Sequence, residues 1–250
     1  MERHNWTRNE LILAFNLYCK TPFGRIHTRN PDIITLAKAL GRTPSALSWK
    51  LANFARFDPA LKKRDIAGAA HGGKLEGEIW KEFSENWESL SFESEKLRLE
   101  MSGSNLNCEL LESFPTGKTR NALTRVRVNQ GFFRSAVLAA YDSKCCITGL
   151  AVADLLCASH IVPWSVDVKN RTNPRNGLCL NAIHDRAFDR GFITVTTAYK
   201  VQLSPSISKV KDAGIEALLS PYEGAKINLP IHFQPDVAFL NYHNQYVYRA

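Results

Sequence analysis

The chain has 250 residues, 44% hydrophobic and 22% charged, the balance of an ordinary globular protein. No apolar run reaches the roughly 18 residues of a membrane span, and MERHNWTRNE at the start lacks a signal core, so a cytoplasmic protein with six reduced cysteines is expected. The formal net charge of +8 and a pI of about 9.2 point to a polyanionic partner, although charge alone fits any basic soluble protein.

Thr7-Arg8-Asn9-Glu10 has the spacing of a capping box, a hydroxyl at the helix start and a carboxylate reaching back from three residues on. Leu11, Phe15 and Tyr18 then recur on one face, widened by Leu13 and Leu17, and Gly24 lies in the break that follows. Asn30-Pro31 predicts the next helix start, with Ile33, Ile34, Leu36, Ala37 and Leu40 as its stripe and Gly41 as its stop. Thr43-Pro44 starts a third helix with Leu47, Leu51 and Phe54 inward. Two helices joined by so short a turn have helix-turn-helix spacing, and residues 33–52 resemble that pattern of DNA-binding proteins. The resemblance implies a second helix in the major groove, with Ser45, Ser48, Trp49 and Asn53 outward and Lys50 and Arg56 near phosphates. Arg42 and the run Lys62-Lys63-Arg64 would add backbone contacts, which position without reading sequence. An ordinary helical hairpin with a solvated face has the same pattern.

Glu76 to Trp87 reads as a further helix, its Ile79, Trp80, Phe83 and Trp87 being core rather than base-stacking groups. Beyond it the pattern loosens through Ser102-Gly103-Ser104-Asn105, with Leu97 and Leu99 permitting a short connecting helix. The expected organisation is a helical DNA-reading domain at 1–90, a linker at 91–119 and a second domain at 120–250 with its core at 141–194.

In that second domain, Val126 to Tyr141 starts extended and becomes helical, and Lys144 to Gly149 reads as strand and turn. A second strand carries Leu155, Cys157, Ser159 and Ile161 on one face and Leu156, Ala158 and His160 on the other, ending at Pro163. After a polar loop at 165–175, Asn176 opens a third strand, Gly177-Leu178-Cys179-Leu180. Ala182 to Asp189 is a short helix with His184 in its first turns, closed by Gly191. The whole is an α+β chain, helical first and mixed second.

Residues 127–194 resemble an HNH nuclease domain of the restriction-endonuclease-like subgroup. The resemblance rests on Arg127, Gln130 and Phe133-Arg134, on Cys146-Ile147-Thr148-Gly149, and on Ala158-Ser159-His160-Ile161-Val162-Pro163-Trp164. It continues in Asn176-Gly177-Leu178-Cys179-Leu180 and in His184 with Phe188-Asp189-Arg190-Gly191; Leu240-Asn241-Tyr242-His243 has the same flavour. The family implies a ββα-metal core that hydrolyses phosphodiester bonds in double-stranded DNA. It implies His160 as general base, Asn176 as a brace for the hairpin, and His184 as ligand to one divalent metal. Arg186 or Arg190 would clamp the phosphate. Many relatives place Asp or His just before the general base as a second ligand; here that residue is Ser159. Asp189 is then the nearest second ligand, with Asp185 and Asn181 as alternatives. So few protein ligands favour a hard ion, magnesium or manganese, completed by water and phosphate.

The cysteines at 145, 146, 157 and 179 lack paired Cys-x-x-Cys knuckles, so structural zinc is not expected. His4, His27, His71, His232 and His243 read as surface or packing residues; after Thr194, Val195 and Val201-Gln202-Leu203 suggest an added hairpin, and a helix near Asp212–Leu219 with the Pro-rich segment 221–235 reads as a cover on the core. The resemblance implies a restriction-type endonuclease, with modification-dependent cleavage within its range, and double-strand cleavage would favour a homodimer. A homing or mobile-element nuclease shares the same chemistry. An inactive HNH-fold DNA-binding regulator is the rival of another class, favoured by Ser159.

Overall fold

The structure is a computed structural model that describes residues 5–63, 73–102 and 118–250, with residues 118–124 as backbone only. Arg64 and His71, like His4, lie outside the described residues. The chain forms two compact units, Met1–Ala136 and Val137–Ala250, and the boundary falls inside one long helix.

The first unit is helical. Helix α1 (Arg8–Lys20) starts on a complete capping box: Glu10 N donates to Thr7 Oγ1 at 3.3 Å and Thr7 N to the Glu10 carboxylate at 2.7 Å. Helices α2 (Pro31–Ala39) and α3 (Pro44–Ala55) each begin with an Asn or Thr side-chain cap and a first-turn proline. Between them Gly41 takes φ +64°, a left-handed turn that a side chain would strain. A short α4 (Pro59–Lys62) precedes α5 (Lys74–Ser84) and α6 (Trp87–Met101). Phe15 of α1 is the centre of the core, its ring 4.8 Å from Phe54, 5.1 Å from Trp80 and 5.8 Å from Trp87. Phe15, Phe54 and Trp87 are buried, and each contributes about 2–3 kcal/mol relative to exposure, which outweighs the modest propensities of the helices that carry them.

Residues 91–101, read from sequence as the start of a linker, are the greater part of α6. Ser91, Ser94 and Leu99 are buried, and Asn16 Nδ2 on α1 donates to Ser94 Oγ at 2.7 Å. Small serines at the helix contact hid the stripe from a search for large apolar residues. The remainder of that segment, residues 103–117, lies outside the described residues. Helix α7 (Lys118–Ala140) already includes Val126, where the sequence predicts an extended start to the stretch that runs to Tyr141. The β-branched Val126 and Val128 lower helix propensity by only tenths of a kcal/mol, and Phe132, Phe133, Ala136 and Val137 continue a helical stripe that outweighs it.

In the second unit the expected strand at 144–149 is instead a tight turn. Gly149, at φ +75°, donates to Cys145 O at 2.8 Å, so the chain folds back before a ladder can extend. Strand β1 (Leu156–His160) pairs antiparallel with β2 (Gly177–Asn181), His160 facing Gly177 and Leu156 facing Asn181. Helix α8 (Ala182–Asp189) follows β2 directly. A second hairpin, β3 (Ile193–Val195) with β4 (Val201–Leu203), precedes short helices α9 (Pro205–Ser208) and α10 (Ala213–Leu218). Helix α11 (Val237–Tyr246) closes the unit. The fold is therefore α+β: among the described residues, helices with two two-stranded antiparallel sheets. Gly191, at φ +70°, lets the C-terminal segment come close, since a Cβ there would sit 2.1 Å from the Val247 carbonyl oxygen.

Candidate active site

His160 ends β1, half-buried beside the buried Ser159. Its Nε2 lies 2.8 Å from the Arg171 carbonyl oxygen, which can only accept, so Nε2 carries the proton and the lone pair of the neutral ring is on Nδ1. Trp164 meets the ring edge-on at 5.4 Å and is in turn covered by the Arg171 guanidinium at 5.1 Å. Burial lowers the His160 pKa, against the raising effect of the Arg171 carbonyl and the Asp185 charge, so the neutral base prevails at pH 7.

Asn176 is fully buried at the last position of a 3-10 turn, one residue before β2. Its Oδ1 accepts from Val162 N at 2.8 Å, and its Nδ2 donates to the carbonyls of Val162 at 3.1 Å and Asn170 at 3.3 Å. Its own carbonyl accepts from Ile161 N at 3.0 Å. These bonds fix the backbone immediately after His160 and the loop before β2.

Helix α8 is set by Asn181, whose Oδ1 accepts from the backbone of Ile183 at 3.1 Å and of His184 at 2.9 Å. The same oxygen lies 3.0 Å from His184 Nδ1, which therefore donates to it. The His184 ring packs edge-on against Tyr222 at 5.2 Å, and burial lowers its pKa. His184 is not among the residues that line the cleft around His160. One residue further on, a helical step of about 100° turns the next side chain elsewhere. Asp185 and, one turn later, Asp189 line that cleft of about 510 Å³ with Ser159 and His160. Burial and the Asp185 charge raise the Asp189 pKa. Arg186 and Arg190 line the same cleft.

The donors fit a hard divalent ion. The buried Ser159 hydroxyl has no hydrogen-bond partner among the described residues, and with the two aspartates it supplies oxygen donors alone. No group of three His, Cys, Asp or Glu suited to a metal occurs among the described residues, so water and phosphate would supply the other ligands. Cys145, Cys146 and Cys179 are buried thiols, and burial pushes Cys146 well up.

In the first unit, two residues read as outward are not: Ser48 and Asn53 are buried. Glu76 of α5, itself buried, draws that side of α3 inward by bonding Lys50, Asn53 Nδ2 at 3.4 Å and Arg56 at 3.5 Å. Arg42 is likewise engaged, bonding both Glu10 oxygens at 2.9 and 3.0 Å, with Trp6 under its guanidinium at 4.7 Å. Ser45 and Trp49 do face solvent, Trp49 being 62% exposed. Sequence reading missed Glu76 and Glu10 as partners of these cations, since the pairs span 20 to 32 residues and leave no local signal.

A strand, a bracing asparagine, a second strand and a carboxylate-bearing helix, with a neutral histidine at the end of the first strand, are consistent with an HNH nuclease domain. Residues 145–196 match the model of the family described as HNH endonuclease, and such a domain implies a nucleic-acid substrate. None of the curated proteins matches the chain. No helix of the described residues is long and apolar enough to cross a membrane.

Proposed function

We propose that the chain is a divalent-metal-dependent DNA endonuclease of restriction type, in which the helical first unit contacts DNA and the second hydrolyses a phosphodiester bond. The observation that carries the chemistry is the shared cleft of His160, Asp185 and Asp189. His160 Nδ1 takes the proton of the attacking water, while its Nε2–H stays on the Arg171 carbonyl and holds the ring in place. Asn176 fixes the backbone that follows His160 through the amide and carbonyl of Val162 and the carbonyl of Asn170. Asp185 and Asp189, with the Ser159 hydroxyl, would hold the magnesium or manganese ion. When bound, that ion supplies charge neutralisation on the scissile phosphate and on the leaving oxygen. Arg186 and Arg190 border the cleft, placed to bind the phosphate on the side of α8. In the first unit, the exposed Trp49 and Ser45 of α3 are the groups that would meet DNA, while Arg42, Lys50 and Arg56 shape that face from within.

Ser159 in place of an ionisable ligand favours a second reading, a DNA-binding regulator with an inactive HNH fold. Supercoiled plasmid, unmodified and methylated, is incubated with the full chain and with His160→Ala in magnesium or manganese. We expect cleavage by the wild type and a loss of about 100-fold or more in the variant, the usual worth of a general base. Equal, negligible cleavage by both proteins on every substrate overturns the nuclease reading in favour of the regulator.

A further inference from the structure

Beside the cleft of His160, on the other side of the Arg186 and Arg190 pair, lies a shallow depression of about 710 Å³. Its floor is apolar, made by Ala187 and Phe192, and Arg186, Arg190 and Arg249 stand around it. Arg186 and Arg190 are one helical turn apart on α8 and border both the cleft and the depression. Arg249 comes from the far end of the chain yet is held firmly. Its backbone N donates to Gly191 O at 3.0 Å, its carbonyl accepts from Ser204 Oγ, and its guanidinium lies 4.4 Å over the Phe192 ring. Tyr248, next to it, anchors through its hydroxyl to Leu203 O at 2.9 Å. Among the described residues no carboxylate forms an ion pair with any of the three arginines. The Asp189 charge acts on Arg186 and Arg190 from the cleft side, while Arg249 stands on the depression alone, and planar forks with paired donors suit phosphodiester oxygens.

We infer that Arg249, with Arg186 and Arg190, forms a second phosphate subsite that holds the DNA backbone a few nucleotides from the bond placed at His160. The inference rests on the nuclease reading for its substrate and adds a residue outside the HNH motif. Phe192 acts as a positioning residue, keeping the Arg249 guanidinium flat over the depression through a cation–π contact. The continuous row from cleft to depression sets the direction in which the strand leaves the active site.

The test measures affinity of the full chain for a short duplex in EDTA, where no cleavage intervenes, across a salt series. Arg249→Gln is expected to weaken binding about tenfold at low salt and to reduce the salt slope by about one, the signature of one lost phosphate contact. Arg249→Lys is expected to keep the slope and lose part of the affinity, since it retains the charge without the fork. A duplex set in which single phosphates are replaced by neutral methylphosphonates then locates the contact. One position near the cut should weaken the wild type and leave Arg249→Gln unaffected. If every substitution weakens both proteins alike, or if Arg249→Gln binds as tightly as the wild type, the subsite is disproved, even where the plasmid digest shows His160-dependent cleavage. Failure of the digest itself, with the arginine effect on binding intact, would instead remove the nuclease reading.

Discussion

The His184 ring meets the Tyr222 ring edge-on at 5.2 Å, and Asp185, the next residue, lines the cleft together with His160. His184 Nδ1 bonds the Asn181 cap of α8 and Asp185 lines the cleft, so we propose that Asp185, more than His184, serves the metal. Asp185→Asn is expected to lower cleavage by about 100-fold or more and to raise the manganese concentration needed for half-maximal rate. His184→Gln, whose amide can still donate to Asn181, is expected to cost about 1 kcal/mol of stability and to keep cleavage within about tenfold of the wild type. Plasmid digestion over a manganese titration, beside thermal unfolding, separates the two. The reverse ranking would return the metal to His184.

That division marks where sequence reading stops. Order and spacing put His160 late in a strand running to Pro163, Asn176 at the opening of the next strand and a helix after them, because strand alternation and helix caps are local signals; the structure ends the first strand at His160 and sets Asn176 in the turn just before the second. Those signals did not say which side of α8 each of two adjacent residues faces, since one position of helical phase moves a side chain by about 100°. The caps at Thr7, Asn30 and Thr43 were legible for the same local reason, and each is made as its spacing suggests. Asn53 was misjudged because its partner Glu76 is 23 residues away and reverses the apparent polarity of the α3 face. Of the strand and turn expected at Lys144–Gly149 only the turn forms, because residues of mixed apolarity fit both and the Gly149 φ decides between them.

Asn176 satisfies the buried amide and carbonyl of Val162 and the half-buried carbonyl of Asn170 at once. Asn176→Ala leaves these groups without partners and is expected to destabilise the second unit by about 2–4 kcal/mol. Asn176→Asp keeps the acceptor for Val162 N but loses both donated bonds, so it should fall at least as far. Denaturant unfolding followed by hydrogen exchange of the Val162 amide reads the effect in the unit concerned. A change under about 0.5 kcal/mol in both variants would show that the loop is held by other contacts.

Glu76 carries the inner face of α3 through its bonds to Lys50, Asn53 and Arg56. Removing one partner of a buried charge cluster typically costs about 3–5 kcal/mol, so Glu76→Ala is expected to unfold the first unit at markedly lower denaturant. Asn53→Ala should act through stability, by about 1 kcal/mol. Trp49→Ala should leave stability nearly unchanged and weaken DNA binding, because that ring is 62% exposed. Tryptophan fluorescence gives the first two and duplex affinity the third. Loss of affinity in Asn53→Ala at full stability would place Asn53 at the DNA.

His243 is buried on α11, with Nε2 3.2 Å from Phe188 O, Nδ1 2.7 Å from Thr194 Oγ1, and its ring stacked 3.7 Å from that of Phe188. It thereby ties α11 to the end of α8 that carries Asp189. Burial lowers its pKa from 6.5 to about 4. The sign follows from proton uptake: between pH 6.5 and 4 the unfolded chain binds a proton that the native ring refuses, so stability is level above 6.5 and falls as pH drops toward 4. A shift of this size corresponds to about 3 kcal/mol at the acid end. His232, fully buried and also lowered to about 4, adds a loss of the same sign. His243→Gln, which can still donate to the Phe188 carbonyl but cannot titrate, is expected to be somewhat less stable at pH 7.5 and to lose visibly less on acidification. Thermal unfolding of both proteins at intervals from pH 7.5 to 4.5 checks this, and parallel curves would mean that His243 keeps its ordinary pKa in the folded protein.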